Sequence, residues 1–165
     1  MYKAQPYAQK VATMTVQIFQ AGPGDVDKVL PLYLGYRKFY KQEEKADEAR
    51  EFMLKRLQLH ESIVFYAELD GKTVGFTQLY PLFCSVRMKR FWLLYDLFVD
   101  ESARKHGIGE KLLSRADQLA QETGSSHLML QTAHDNKTAQ SLYERHGYVR
   151  DEHFYVYDKD IGPTA

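Results

Sequence analysis

From Thr15 to Phe19 apolar and polar positions alternate, a period of two that predicts a first strand. Pro23, Gly24 and Asp25 then read as a turn and a helix start, with Asp25 as N-cap. Val26, Val29, Leu30, Tyr33 and Leu34 follow at helical spacing. A second helix is predicted from Asp47 to Leu59, with Phe52, Leu54, Leu57 and Leu59 among its apolar positions. Ser62–Leu69 and Thr73–Leu82 are β-rich runs, and the Asp70-Gly71 pair between them is a hairpin signal. Phe91–Val99 is almost continuously apolar and aromatic, as a strand buried on both faces would be, and Asp96 interrupts it. A helix follows from about Gly107 to Thr123, with Ile108, Leu112, Leu113, Ala116, Leu119 and Ala120 along one stripe and Gly124 ending it. Ser126–Thr132 reads as another strand, Asn136 to about His146 as another helix, and Phe154–Tyr157 as a last strand.

No linker or internal repeat divides this pattern, so it predicts one α/β domain over 14–165. Residues 1–13 lack periodicity and read as an extension or a tag. The length of 165 residues suits one core. Charge narrows the functional classes. Lys and Arg number 22 against 22 Asp and Glu, so no net basic field exists to hold a nucleic acid. No run is long and apolar enough to suggest a membrane span, and the N-terminus does not read as a secretory signal. Cys84 is the sole cysteine, which excludes an internal disulfide and fits a reducing, cytoplasmic setting. It lies in an apolar stretch with no base near it in sequence, as a core residue would. The histidines, among them His127, His134, His146 and His153, are scattered without metal-ligand spacing, so no metal is expected.

Candidate chemistry concentrates in residues 97–113, LFVDESARKHGIGEKLL. A buried strand ends, a polar turn follows, and Gly107 and Gly109 open an amphipathic helix. The first turn of a helix has amides without intrahelical acceptors, and the helix dipole adds partial positive charge there. Glycine lets a ligand approach the backbone closely. Together these features suit a phosphate or pyrophosphate, with Arg104, Lys105 and His106 just ahead of the helix. No GK[ST] follows, which argues against a triphosphate P-loop, and the dinucleotide fingerprint lacks its third glycine.

Arg104, Gly107 and Gly109 match the R-x-x-G-x-G form of the motif that marks the GNAT superfamily of N-acetyltransferases. About 25 residues on, NKTAQSLYERHGY resembles its second signature through Asn136, Ala139, Leu142, Tyr143, Gly147 and Tyr148. The resemblance extends from Thr15 to about Asp158. It implies a GNAT-like mixed, mostly antiparallel central sheet flanked by helices, with two splayed parallel central strands, Phe91–Val99 and Ser126–Thr132. It implies acetyl-CoA as cofactor. Leu97, Phe98 and Val99 would pair with the pantetheine arm. The amides of Lys105, His106, Gly107, Ile108, Gly109 and Glu110 would surround the pyrophosphate. Asn136 would lie near the pantetheine, and Tyr143 near the sulfur as general acid.

The resemblance is incomplete at the general base. A Glu-Asp pair of diamine acetyltransferases reads Tyr95-Asp96 here, and Leu93, where other members place a base, is apolar. Asp96 is therefore a candidate catalytic residue, beside a water relay. The acceptor is left as a small-molecule amine or a lysine. Glu43, Glu44, Asp47 and Glu48 would attract a cation, Tyr36, Phe39 and Tyr40 would add cation–π contacts, and FCSVRMKRFW is read as a loop over the acceptor. Two further readings stay open: a CoA-binding sensor without catalysis, and an ordinary nucleotide-binding protein. A homodimer is compatible with the resemblance.

Overall fold

The structure, a computed structural model, describes residues 15–162; the 1–13 extension lies outside them. Asp70 and Gly71 both hold positive φ, 50° and 80°, as a two-residue hairpin turn between right-handed twisted strands requires. They join β2 (Ile63–Leu69) to β3 (Lys72–Cys84). β1 (Val16–Gln20) pairs antiparallel with β2, and β3 pairs antiparallel with β4 (Lys89–Val99). β4 pairs parallel with β5 (Leu128–Leu130), which gives a five-stranded sheet in sequential order.

The helices are α1 (Val26–Phe39), α2 (Ala46–Gln58), α3 (Ile108–Glu122) and α4 (Lys137–Arg145). Short 3₁₀ turns, Pro23–Asp25 and Glu101–Ala103, precede α1 and α3. The chain divides into two compact units, one through Gln131 and one from Thr132. The sheet and α1–α3 belong to the first.

One layer of the core joins α1 and α2 to the sheet. Val26, Val29, Leu32 and Tyr33 of α1 meet Ala49, Met53 and Leu57 of α2, and both sets bury Val64, Tyr66 and Phe76. Each large side chain removed from water here contributes about 1.5–3 kcal/mol. Asp25 is the N-cap of α1, as expected. Its carboxylate turns back to accept from the Gly22 amide at 3.0 Å rather than from a helix amide. The predicted stripe of α3 is buried through Ile108, Leu112, Leu113, Ala116 and Leu119, and the helix packs on β1 to β4.

Two glycines set how closely the layers approach. A Cβ on Gly75 of β3 would lie 3.1 Å from both Ile108 Cγ2 and the Phe98 carbonyl oxygen. One on Gly35 of α1 would lie 3.1 Å from the Phe98 ring. Both gaps are tighter than ordinary van der Waals contact, so glycine seats the start of α3 and the end of β4 against their neighbours.

Several predicted bounds change. The β3–β4 ladder continues to Cys84↔Lys89, so the predicted loop at 85–90 shrinks to a turn that Met88 closes with φ of 49°. Backbone pairing persists there although side chains are exposed, because the main-chain bonds do not depend on side-chain burial. β5 covers three residues of the predicted 126–132. Phe154–Tyr157 is not a strand: its side chains are exposed, and Asp151 Oδ1 takes the amides of His153 and Phe154 at 2.8 and 2.9 Å in a local turn. A run of β-favouring residues needs a neighbouring strand to become a ladder, and among the described residues no strand pairs there.

Candidate active site

β4 ends at Val99, and the turn beyond it is held by short-range bonds. The Asp100 amide donates to the Val74 carbonyl at 2.8 Å, and Asp100 Oδ1 accepts from the Ser102 amide at 2.9 Å. Arg104 donates from Nε to the Val99 carbonyl at 3.2 Å and pairs with Glu101 at 3.3 Å. Its guanidinium thus braces the turn against the end of β4. His106 Nδ1 lies 3.1 Å from the Ala103 carbonyl oxygen.

Lys105 and Gly107 both adopt left-handed backbone, with φ of 68° and 69°. Residues 104–107 are all exposed, and a Cβ on Gly107 would meet nothing within 4 Å. The main chain from Lys105 to Gly107 is therefore exposed, with open space beside Gly107. Left-handed turns of this kind, joined to a helix start, concentrate amide dipoles on an anion. Ile108 is 2% exposed and points into the core, so only its main chain can serve such a ligand. Gly109 follows it in the first turn. Glu110 carries an acidic side chain there, so its contribution to an anion would also be through the amide.

The second feature is a strand that loses its neighbour. β4 and β5 pair from Trp92↔Leu128 to Leu94↔Leu130 and no further. From Asp96 to Val99, β4 is bonded to β3 on one side, while among the described residues no strand pairs with it on the other. Leu97, Phe98 and Val99, the predicted pantetheine positions, all lie in this half-paired stretch.

At the point of separation β4 carries a bulge. Gln78 pairs with Asp96 and Leu79 with Leu94, so Tyr95 is the extra residue. A bulge re-aims the groups around it. The carbonyl of Tyr95 accepts from the Tyr36 hydroxyl at 3.3 Å, and its ring, 60% exposed, meets Tyr80 edge-on at 5.8 Å. Asp96 next to it is 4% exposed. Burial pushes its carboxyl up to about 6, while the neighbouring Tyr36 phenol acts in the opposite direction. The Asp96 charge in turn helps hold the phenols of Tyr33, Tyr36 and Tyr80 above their usual range, with burial the larger cause in each. Opposite Asp96 on β3, buried Gln78 donates to Ser62 Oγ at 2.8 Å. A buried acid of raised pKa beside a strand separation is suited to taking a proton at neutral pH.

Reading the sequence missed Tyr80, Gln78 and Gly75. Tyr80 occupies an ordinary strand position, and only pairing with the bulged strand brings it to Tyr95 and Asp96. The predicted acceptor-side residues Tyr36 and Tyr40 do meet, at 5.0 Å between ring centroids, and Phe39 meets Tyr40 at 5.1 Å. Glu43, Glu44, Asp47 and Glu48 are exposed at the α1–α2 connection and the start of α2. Cys84 ends β3 and is half-buried.

In the second unit Asn136 is the N-cap of α4. Its Oδ1 accepts from the Ala139 amide at 3.2 Å, so the signature asparagine has a structural role of its own. Tyr143 is buried on α4, 5.9 Å from Tyr148 between ring centroids.

Known proteins resemble this chain over most of its length. The profile of the Acetyltransferase (GNAT) family matches residues 27–148. An uncharacterised N-acetyltransferase of Bacillus subtilis (strain 168), YhfO, is 46% identical over 142 residues, which are 86% of this chain and 95% of that protein. A probable acetyltransferase of Haemophilus influenzae is 31% identical over 134 residues, covering 81% of this chain and 90% of that protein. The crystal structure of a probable acetyltransferase, 37% identical, superposes with a TM-score of 0.85 over 90% of this chain and 99% of its own. With the glycine turn and the parted strands both lying in the matched region, the chain belongs to the acetyltransferase (GNAT) family and is an acetyltransferase.

Proposed function

We propose that the enzyme moves an acetyl group from acetyl-CoA to a primary amine, with direct attack of the amine on the thioester. The observation that carries this reading is the open, left-handed turn at Lys105 and Gly107, adjoining the half-paired end of β4. The residues fit the cofactor. The turn offers amides to a diphosphate, and the stretch Leu97–Val99 offers main-chain partners to the amide groups of a pantetheine arm.

Acetyl-CoA supplies the acetyl group as an activated thioester. The chain supplies position and proton management. An alkylamine with a pKa of about 10.4 is protonated in all but roughly one molecule in a thousand at neutral pH, so a proton must be removed before attack. Asp96, with its carboxyl pushed up to about 6, is the proposed acceptor of that proton. A backbone amide of β4 beyond the bulge is the proposed donor to the developing oxyanion. Tyr143, matched to the family's signature tyrosine, is the proposed proton donor to the departing thiolate.

The reading is tested by calorimetry with acetyl-CoA and by thiol release in the presence of amines. Binding with amine-dependent release is expected; absence of both overturns it. Tyr143→Phe is expected to lower turnover about 10²-fold or more with the acetyl-CoA Kd little changed, and unchanged turnover across pH removes the tyrosine as acid.

A further inference from the structure

The carboxylate of Asp96 is buried, and among the described residues no cation acts on it. The group acting on it besides burial is the Tyr36 hydroxyl, and the rings of Tyr33 and Tyr80 sense its charge. Arg37 reaches the Tyr33 phenol and Arg56 the Tyr80 phenol, and neither acts on Asp96 itself. Arg37 donates to the Glu43 carbonyl at 3.0 Å, and Arg56 pairs with Glu61 at 2.5 Å. A carboxylate taken out of water needs a positive partner or a proton.

What surrounds the acid is aromatic. Phe39, Tyr40 and Tyr36 form one run of edge-on rings along α1, and Tyr80 and Tyr95 form another on the sheet. The Tyr36 hydroxyl to Tyr95 carbonyl bond ties the two runs together beside Asp96. Phe39, Tyr40 and Tyr95 are 56%, 42% and 60% exposed, so the outer rings face solvent while the acid lies beneath.

We infer that the acceptor is a primary alkylammonium at the end of an unbranched methylene chain, received along Tyr40 and Tyr95 and brought to Asp96. The inference rests on the acetyltransfer reading above. The methylenes match the ring faces and edges, and the cation meets the negative faces of the phenols before it reaches the carboxylate. An α-amino acid instead brings its own carboxylate beside Asp96, and the two like charges repel. An aniline brings no charge at neutral pH.

In the step, the ammonium gives one proton to Asp96, and the nitrogen lone pair forms the C–N bond as the C–S bond breaks. The thiolate leaves with the electron pair. The second proton lost by nitrogen balances the one that the thiolate takes up.

The same alkylammonium occurs on small amines and on lysine side chains, and the test separates these sources. Thiol release is measured with acetyl-CoA and n-butylamine, 1,4-diaminobutane, a lysine-containing peptide with blocked termini, L-alanine and aniline. At least one of the first three is expected to exceed L-alanine and aniline about tenfold or more in kcat/KM, and the preferred one identifies the source. Tyr95→Leu, which keeps apolar bulk, and Tyr40→Leu, at the end of α1, are each expected to raise KM for that amine about fivefold, with the acetyl-CoA Kd unchanged. Turnover led by L-alanine or aniline, or an unchanged KM in both folded variants, overturns the inference and leaves the acetyltransfer reading standing. Loss of acetyl-CoA binding in the parent protein overturns that reading itself.

Discussion

The Tyr36 hydroxyl donates to the main-chain oxygen of Tyr95 over 3.3 Å, linking α1 to the one residue of β4 that the ladder passes over. The same hydroxyl favours the charged form of Asp96. Tyr36→Phe is therefore expected to cost about 1 kcal/mol in stability and to raise the Asp96 pKa further. If Asp96 is the base, the acidic limb of kcat/KM moves to higher pH in the variant. An unmoved limb would place the rate-limiting ionisation elsewhere.

Asp96 itself has a cost to the fold. A carboxyl raised from 3.8 to about 6 favours the protonated native state. Its contribution to stability is full below the unfolded value and is lost as pH rises through the folded one. At neutral pH the penalty is ~3 kcal/mol. Asp96→Asn is expected to flatten the loss of stability between these two pH values, to be no less stable than the parent at neutral pH, and to be nearly inactive. Urea midpoints across pH, read beside turnover, check both halves. Retained activity would dismiss the aspartate as base.

Gly107 separates backbone strain from obstruction. Its φ of 69° penalises any side chain by ~1–2 kcal/mol, while a Cβ there meets no atom within 4 Å. Gly107→Ala and Gly107→Val should both lose stability for the first reason. The valine should in addition lose acetyl-CoA affinity about tenfold or more by crowding the turn. Calorimetry on folded protein decides, and equal affinity in parent and valine variant would remove the turn from the binding site.

Gly75 tests the seat of α3. A methyl group there meets Ile108 and the Phe98 carbonyl at 3.1 Å, and the carbonyl, as part of the ladder, has little room to give. Gly75→Ala is expected to destabilise by about 1–3 kcal/mol and to weaken acetyl-CoA binding by displacing the helix start. An unaltered urea midpoint would mean that the helix shifts without penalty.

The elements with strong local signals were legible in the sequence. Asp70-Gly71 specified its turn, the α3 stripe specified a buried face, and the R-x-x-G-x-G run specified an exposed turn at a helix start. The relation of Tyr95 to Tyr80 and Tyr36 was not legible, because a bulge is a property of two strands and leaves no mark on one. Asp96 stood out as polar within an apolar run, but its burial and its phenolic neighbours come from α1 and β3. The β-rich run Phe154–Tyr157 misled for the same reason: aromatic and β-branched residues suit a strand, and a ladder also needs a neighbour. Gly75 and Gly35 carry no signal until the layer facing them is known.

Among the described residues no strand pairs with β4 beyond Leu94 on the side that β5 occupies, so one margin of Asp96–Val99 has no ladder partner. An open sheet margin is a template for any extended chain, including a second molecule of the same protein. The extra residue at Tyr95 interrupts the regular spacing that an intruding strand would have to match, while a ligand that bonds at a few positions has no such requirement. The irregularity thus makes this margin a poorer template for a regular strand than an unbroken ladder would be.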